Sequence, residues 1–156
     1  MSKVVEIELA VAEYFGIRRN VIVPNVSWGL SLHECDVLVM TPANYLYEVE
    51  IKTSRSDIEA DLGKRHGHRS NKIRMLYFAV TPDLLSFVDS IPDRAGILVV
   101  DVDADISSKI KSVRERFSGV RKHRCAKVNV DAIRLPDEDR YTLARLGAMR
   151  VWGLKR

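Results

Sequence analysis

The eight residues Tyr45–Lys52 read YLYEVEIK, and their side chains fall into two alternating sets. A period of two is typical of a β-strand, because successive side chains of a strand point to opposite faces of the sheet. One face then carries Tyr45, Tyr47, Val49 and Ile51, and the other carries Leu46, Glu48, Glu50 and Lys52. The stretch therefore predicts two carboxylates and an ammonium in a row. The polar, solvent-facing side of an edge strand would show the same pattern.

The strand predicted before this one begins with Asp36, which precedes the apolar run Val37–Met40. Residues 41–44 form a turn, so the two strands are expected to pair antiparallel and to bring Asp36 and Glu50 to one end of the sheet. Two neighbouring carboxylates repel each other and need a cation or a proton. Mg²⁺ (or Mn²⁺) suits them because it takes oxygen ligands. Lys52 would then orient or deprotonate a metal-bound water.

A helix over residues 4–15 is predicted by the apolar stripe of Val4, Val11 and Phe15, and Gly16 ends it. At about 100° per residue, Glu8 lies beside that stripe. A carboxylate on a packing face is costly unless it is paired or bound to metal, so Glu8 is a further candidate site residue. The alternative is a side chain at the edge of the stripe that reaches water.

The rest of the chain predicts an α/β sandwich around a mixed sheet, in one domain over residues 1–156. A capping box at 56–59 predicts a helix from about Asp57, with Ile58 and Leu62 facing inward. Further strands are expected at 20–24, 75–80 and 96–101, a short helix at 82–88, strands or a hairpin within 108–134, and a final helix from 136–137 to about 151. The core is expected at about 4–101, followed by a basic extension at about 108–156.

Composition excludes several classes of protein. With 156 residues, 46% hydrophobic and 29% charged, the chain has the composition of an ordinary globular domain. No apolar run approaches the ~18 residues that span a bilayer, and the start has no features of a secretory signal. Two cysteines, Cys35 and Cys125, are too few for a disulfide framework, so we expect a reducing, cytoplasmic setting.

The order of these residues resembles a known superfamily. Asp36, then Glu50-Ile51-Lys52, after a helix that carries Glu8, resembles the PD-(D/E)xK superfamily of restriction-endonuclease-like nucleases. Residues 35–61, 75–82 and 95–100 are similar to the MmcB family of proposed DNA-repair proteins, and the resemblance covers roughly residues 4–101. Cys35 stands where the superfamily often has proline.

The resemblance implies a restriction-endonuclease-like sandwich and a divalent-metal-dependent DNA endonuclease of repair, recombination or mobile-element biology. Asp36, Glu50 and the backbone carbonyl of Ile51 would be metal ligands, Lys52 the catalytic lysine and Glu8 the helix acid, while Glu48 competes with Glu50 as an alternative ligand. A catalytically inactive DNA-binding relative and a structural subunit of a repair or phage assembly remain alternatives. A homodimer is also left open.

Basic segments at 64–74 and 114–127 frame the acid-rich stretch 36–61, although the net charge is only +4. Basic segments around an acidic patch could hold a polyanion such as DNA. The alternative is that these charged residues simply form solvent-exposed faces of the protein. In a nuclease these segments would grip DNA phosphates. The candidate DNA contacts are Lys64, Arg65, His68, Arg69, Lys72, Arg121, Lys122 and Arg124.

Three close pairs of zinc-type ligands also occur: His33 with Cys35, His66 with His68, and His123 with Cys125. Their spacing differs from that of common structural zinc sites, and each pair belongs to a different segment. We therefore expect ordinary loop histidines here instead of a zinc site.

Overall fold

One six-stranded sheet organises the chain, as shown by a computed structural model that describes residues 1–103 and 119–156. In chain order the elements are α1 (Lys3–Phe15), β1 (Val21–Val26), β2 (Cys35–Met40), β3 (Leu46–Lys52), α2 (Arg55–Leu62), β4 (Ile73–Val80), a 3₁₀ helix (Pro82–Ser90), β5 (Gly96–Val100), β6 (Val120–Arg124) and α3 (Asp137–Gly153).

The sheet is mixed, and its strands lie side by side in chain order from β1 to β6. β1, β2 and β3 pair antiparallel, β3, β4 and β5 pair parallel, and β6 returns antiparallel to β5. The connection between β3 and β4 contains α2, as a parallel crossover requires. The predicted α/β class, with a mixed sheet flanked by helices, is confirmed.

Helices cover both faces of the sheet. On one face α1 buries Ile7, Val11 and Phe15 against Val49 and Ile51 of β3. On the other face, apolar residues of α2, the 3₁₀ helix and α3 pack against strands β1 to β5 in two clusters. Each aliphatic or aromatic side chain buried in this way contributes about 1.5–3 kcal/mol. The polar face of β3 is therefore enclosed by protein and is not the exposed side of an edge strand.

Helix α2 begins earlier than the sequence pattern predicts. The Ser54 hydroxyl accepts a hydrogen bond from the backbone N–H of Asp57 at 3.2 Å, so Ser54 is the N-cap and the helix starts at Arg55. Ile58 is buried as expected, but Leu62 is 47% exposed and Asp61 is buried instead. The expectation for Leu62 is wrong because ion pairs draw Asp61 into the interior.

The C-terminal part of the chain belongs to the core. β6 pairs with β5, and Leu143 and Leu146 of α3 pack on the side of the sheet formed by β1. The core therefore extends well past residue 101. Of the strands expected within 108–134, one is present at Val120–Arg124, and residues 108–118 lie outside the described ranges. Within residues 1–103 and 119–156, no helix is both long and apolar enough to cross a membrane.

Candidate functional site

Asp36 and Glu50 meet where β2 and β3 run side by side. The antiparallel register aligns Val37 with Val49 and Leu38 with Glu48, so Asp36 falls opposite Glu50. Asp36 Oδ2 accepts a hydrogen bond from the backbone N–H of Ile51 at 2.8 Å. Glu50 Oε1 lies 3.4 Å from the backbone nitrogen of Asp36, which donates to it. The structure thus brings together the two acids that the strand pattern singled out.

Lys52 lies between two carboxylates at the end of β3. Its Nζ donates to Glu50 Oε2 at 3.1 Å and to Asp61 Oδ1 at 3.0 Å, and the residue is 6% exposed. Burial alone would lower the pKa of Lys52, but the Glu50 and Asp61 carboxylates outweigh it and raise that pKa. Lys52 is therefore held as an ammonium ion.

The negative charge of Glu50 is only partly compensated by its hydrogen bond from Lys52. The side chain is 1% exposed, and burial, followed by the negative charge of Asp36, raises the pKa of Glu50 to about 7. The single ammonium of Lys52 is shared with Asp61, so it does not fully compensate Glu50. A divalent cation at this end of the sheet would supply the missing charge.

A cavity of about 350 Å³ opens beside these residues. Glu8, Asp36, Ile51 and Lys52 line it together with Asp61. Glu8 comes from the opposite side, on α1, where its Oε1 accepts a hydrogen bond from Asn25 Nδ2 at 3.3 Å. Burial raises the pKa of the Glu8 carboxyl. Glu8 of α1 therefore faces the same space as Asp36.

Glu48 belongs to a second polar centre. It is completely buried, and His33 Nε2 lies 2.7 Å from its Oε1, as His68 Nδ1 does at 2.6 Å. Burial alone would raise the pKa of Glu48, but the hydrogen bonds from His33 and His68 hold it below the usual range. Both imidazoles engage the Glu48 carboxylate, but ligand atoms of Glu48, Glu50 and His68 lie within 4.8 Å of one another, so its role as an alternative ligand stays a prediction.

His68 bridges the two centres. Its Nε2 lies 2.6 Å from Asp61 Oδ2, and Asp61 in turn binds Lys52. Burial alone would lower the pKa of His68, but its contacts with Asp61 and Glu48 raise it to about 9. A continuous chain of buried polar groups thus runs from Glu48 through His68 and Asp61 to Lys52 and Glu50.

Three of the predicted DNA contacts bind other groups of the protein, and of these His68 is too deeply buried to reach DNA. His68 is 3% exposed, with both ring nitrogens engaged. Lys72 Nζ lies 2.6 Å from the carbonyl oxygen of Leu30 and 2.7 Å from Asp139 Oδ2. The Arg124 guanidinium donates to backbone carbonyls between residues 91 and 95.

The other predicted contacts remain at the surface. Arg65, Arg69, Arg121 and Lys122 are exposed, and Lys64 is largely exposed although it pairs with Asp61 at 2.8 Å. Strand pairing links Lys52 to Val80, Val80 to Val99, and Val99 to Arg121. Arg121 therefore lies at the level of Lys52, three strand spacings or about 14 Å across the sheet.

Sequence reasoning missed Asp61 and the meeting of two histidine pairs. The two pairs lie in different segments of the sequence, yet the fold stacks the rings of His33 and His66 4.3 Å apart. The third pair, His123 and Cys125, is exposed at the end of β6. The His-x-Cys and His-x-His spacings were the available sequence signal for this cluster. They do not indicate that His33 and His68 share Glu48, which lies on the strand between the two segments.

The comparisons with known proteins bear on the fold. No protein-family model matches the chain, and no curated protein matches it. The structure is similar to that of the SPO1766 protein of Silicibacter pomeroyi, described as a protein of unknown function. The TM-score is 0.70 at 20% sequence identity, over 99% of this chain and 92% of the other. At this identity the likeness shows a shared fold and says nothing about activity.

Proposed function

We propose that the chain is a divalent-metal-dependent DNA endonuclease with a restriction-endonuclease-like fold. The observation that carries the proposal is the meeting of Asp36, Glu50 and Lys52 at one end of adjoining strands, beside a cavity that Glu8 also lines. Carboxylates with a neighbouring ammonium suit phosphodiester hydrolysis, in which a phosphate gains negative charge.

The residues present fit a magnesium ion. Asp36 and Glu50 offer carboxylate oxygens, and Ile51, whose carbonyl is the further proposed ligand, lines the cavity. Oxygen-only donors are what Mg²⁺ and Mn²⁺ favour. Burial and the neighbouring Asp36 raise the pKa of Glu50, and a cation bound between the two carboxylates would offset their repulsion. When bound, the ion would act as a Lewis acid on a phosphate oxygen.

Lys52 serves this chemistry as a charged donor and not as a base. Glu50 and Asp61 raise its pKa against the effect of burial, so its Nζ keeps the proton. An ammonium fixed by two carboxylates is pre-organised to donate to a phosphate oxygen as charge develops there. Of the roles expected for Lys52, we therefore give up deprotonation of a water and propose that the ammonium stabilises negative charge on the phosphate.

Glu8 is the better candidate for accepting a proton. Its Oε1 is bound by Asn25, which leaves Oε2 for another partner, and burial raises its pKa. A carboxyl with a raised pKa is a stronger base for water than an ordinary glutamate. We therefore propose that Glu8 receives the proton of the attacking water.

The test is nicking of supercoiled plasmid by the full chain with Mg²⁺ or Mn²⁺. Asp36→Asn, Glu50→Gln and Lys52→Gln should each lower the rate by about 10²–10³-fold. Glu8→Gln should also lower it, whereas Glu13→Gln, at an exposed position of the same helix, should not. Circular dichroism checks that each variant folds before its rate is compared. Nicking that persists in Glu50→Gln and Lys52→Gln would contradict the assignment of roles.

A binding protein without hydrolysis is the second candidate. The ion pair between Lys52 and Asp61 favours this candidate. The pair compensates the charge of Lys52 inside the protein, as it would if the ammonium had a structural role. Such a protein would bind DNA with an affinity that falls steeply with salt and would not nick plasmid with either ion. That pair of results would replace the nuclease proposal.

A further inference from the structure

Three buried side chains meet on the polar face of β3, and none of them lines the cavity of Asp36 and Glu8. His33 Nε2 lies 2.7 Å from Glu48 Oε1 and 2.8 Å from Glu48 Oε2, and His68 Nδ1 lies 2.6 Å from Glu48 Oε1. Two imidazoles from separate loops therefore converge on one carboxylate. All three side chains are almost fully enclosed, so bulk water is excluded from their meeting point.

This donor set is that of a transition-metal site. Two histidines and one glutamate bind Zn²⁺ in known catalytic sites, whereas Mg²⁺ favours oxygen donors alone. Ligands about 2.05 Å from a tetrahedral ion lie about 3.3 Å from one another. The contacts of each imidazole with Glu48, at 2.6–2.8 Å, would widen to admit such an ion. Ligand atoms of His33, Cys35 and Glu48, and those of Glu48, Glu50 and His68, lie within 4.8 Å of one another.

Neighbouring groups hold the two imidazoles in place. His68 Nε2 contacts Asp61 Oδ2 at 2.6 Å, which leaves Nδ1 as the ligand atom. A carboxylate behind a ligating histidine is the usual outer partner of a metal site, because it fixes the tautomer and the ring orientation. His66 stacks on His33, and its Nδ1 accepts the backbone N–H of His68 at 2.9 Å. One ligand atom each of His33, His66 and His68 lies within 4.8 Å of the others.

We propose that His33, Glu48 and His68 bind one transition-metal ion of the zinc class, with Asp61 orienting His68. The ion ties the loop before β2 and the loop after α2 to the middle strand β3. It adjoins the magnesium site of the proposed nuclease, because His68 Nδ1 lies 3.9 Å from Glu50 Oε1, and the inference stands whether or not the chain hydrolyses DNA. Asp61 links the two sites because it also binds Lys52 at 3.0 Å.

The experiment uses the full chain, stripped of metal with a chelator and titrated with Co²⁺ in excess Mg²⁺. We expect one Co²⁺ per chain, the strong visible absorption of a four-coordinate ion, and displacement by Zn²⁺. His33→Ala should weaken Zn²⁺ binding by at least about 100-fold, and Asp61→Asn by about 10–100-fold. His33 lies in a loop outside the strands, so its variant should fold, as circular dichroism checks.

Two controls separate this site from the rest of the molecule. His123→Ala removes an exposed histidine of β6 and should bind Zn²⁺ as the unaltered chain does. Asp36→Asn alters the proposed magnesium site and should likewise leave Zn²⁺ binding unchanged. The proposal is overturned if no Co²⁺ binds, if His33→Ala and His123→Ala have equal effects, or if Asp36→Asn abolishes binding.

Discussion

The ammonium of Lys52 lies 3.0 Å from the carboxylate of Asp61, and both side chains are buried. The two residues come from the end of β3 and the end of α2, so their ion pair ties the helix to the sheet beside Asp36 and Glu50. A buried charge that loses its partner is strongly destabilising, because it was removed from water at a cost of several kcal/mol.

Lys52→Met should therefore destabilise the fold by about 3–5 kcal/mol, since Glu50 and Asp61 both lose their buried partner. Lys64→Met is the matched control: Lys64 also binds Asp61, at 2.8 Å, but is largely exposed, so its loss should cost about 0–1 kcal/mol. Urea unfolding at neutral pH measures both. Equal losses of stability in the two variants would contradict the claim that the buried Lys52 contributes more than the exposed Lys64.

The stability of the metal-free protein should fall with rising pH because of His68. Its pKa is raised to about 9 in the folded state by Asp61 and Glu48, against the effect of burial, and is about 6.5 when unfolded. A raised pKa gives stability that is complete below about pH 6.5 and is lost as the pH rises through about 9.

Urea unfolding in chelator, at pH values from about 7 to 9, checks this dependence. The raised pKa of Glu50, about 7, acts in the same direction but at lower pH. His68→Gln removes the titrating imidazole and should flatten the profile over that window. A profile as steep in His68→Gln as in the unaltered chain would show that other groups cause it.

Ser54→Ala should lower stability by about 1 kcal/mol because the Ser54 hydroxyl caps α2 through the N–H of Asp57. Ser56→Ala is the comparison, since Ser56 lies inside the first turn, where its hydroxyl is 3.0 Å from the Ser54 hydroxyl but is not the N-cap. Thermal unfolding of the two variants decides between Ser54, the observed N-cap, and Ser56, the N-cap predicted from the capping-box pattern. A larger loss for Ser56→Ala would favour the pattern.

If the chain binds DNA, the salt dependence of its affinity should report on Arg65 and Arg69. Each phosphate contact contributes about 0.9 to the slope of log affinity against log salt, so Arg65→Gln and Arg69→Gln should each reduce it by about 1. Lys72→Gln should leave the slope unchanged, because Lys72 is bound by Leu30 and Asp139. Fluorescence anisotropy with a labelled duplex measures the slope for all three variants. An equal reduction of the slope in Lys72→Gln would contradict the assignment of the phosphate contacts to Arg65 and Arg69.

The strands and their faces were predictable because they follow from local alternation. YLYEVEIK specifies which side chains share a face, and the short turn to Asp36 specifies the antiparallel neighbour, so Asp36 and Glu50 could be paired from sequence. The start of α2 was misplaced because Ser54 and Ser56 both qualify as caps, and the path of the chain out of β3 decides between them.

The polar network was not predictable, because its contacts join residues through loops without periodicity. Nothing near His68 in the sequence indicates Glu48, which is twenty residues away yet lies 2.6 Å from its ring. The sequence pattern assigned Asp61 no role. Its burial depends on Lys52 and His68 reaching the same point, which is a property of the folded chain alone.

The two outer strands of the described sheet also bear on how the molecule behaves at high concentration. β1 contains Pro24, which has no N–H to donate, and β6 carries Arg121, Lys122 and His123 in succession. Proline and consecutive cations at a sheet boundary discourage a second chain from adding a strand. Self-association by continuous hydrogen bonding across these boundaries, the route to fibrils, is thereby disfavoured.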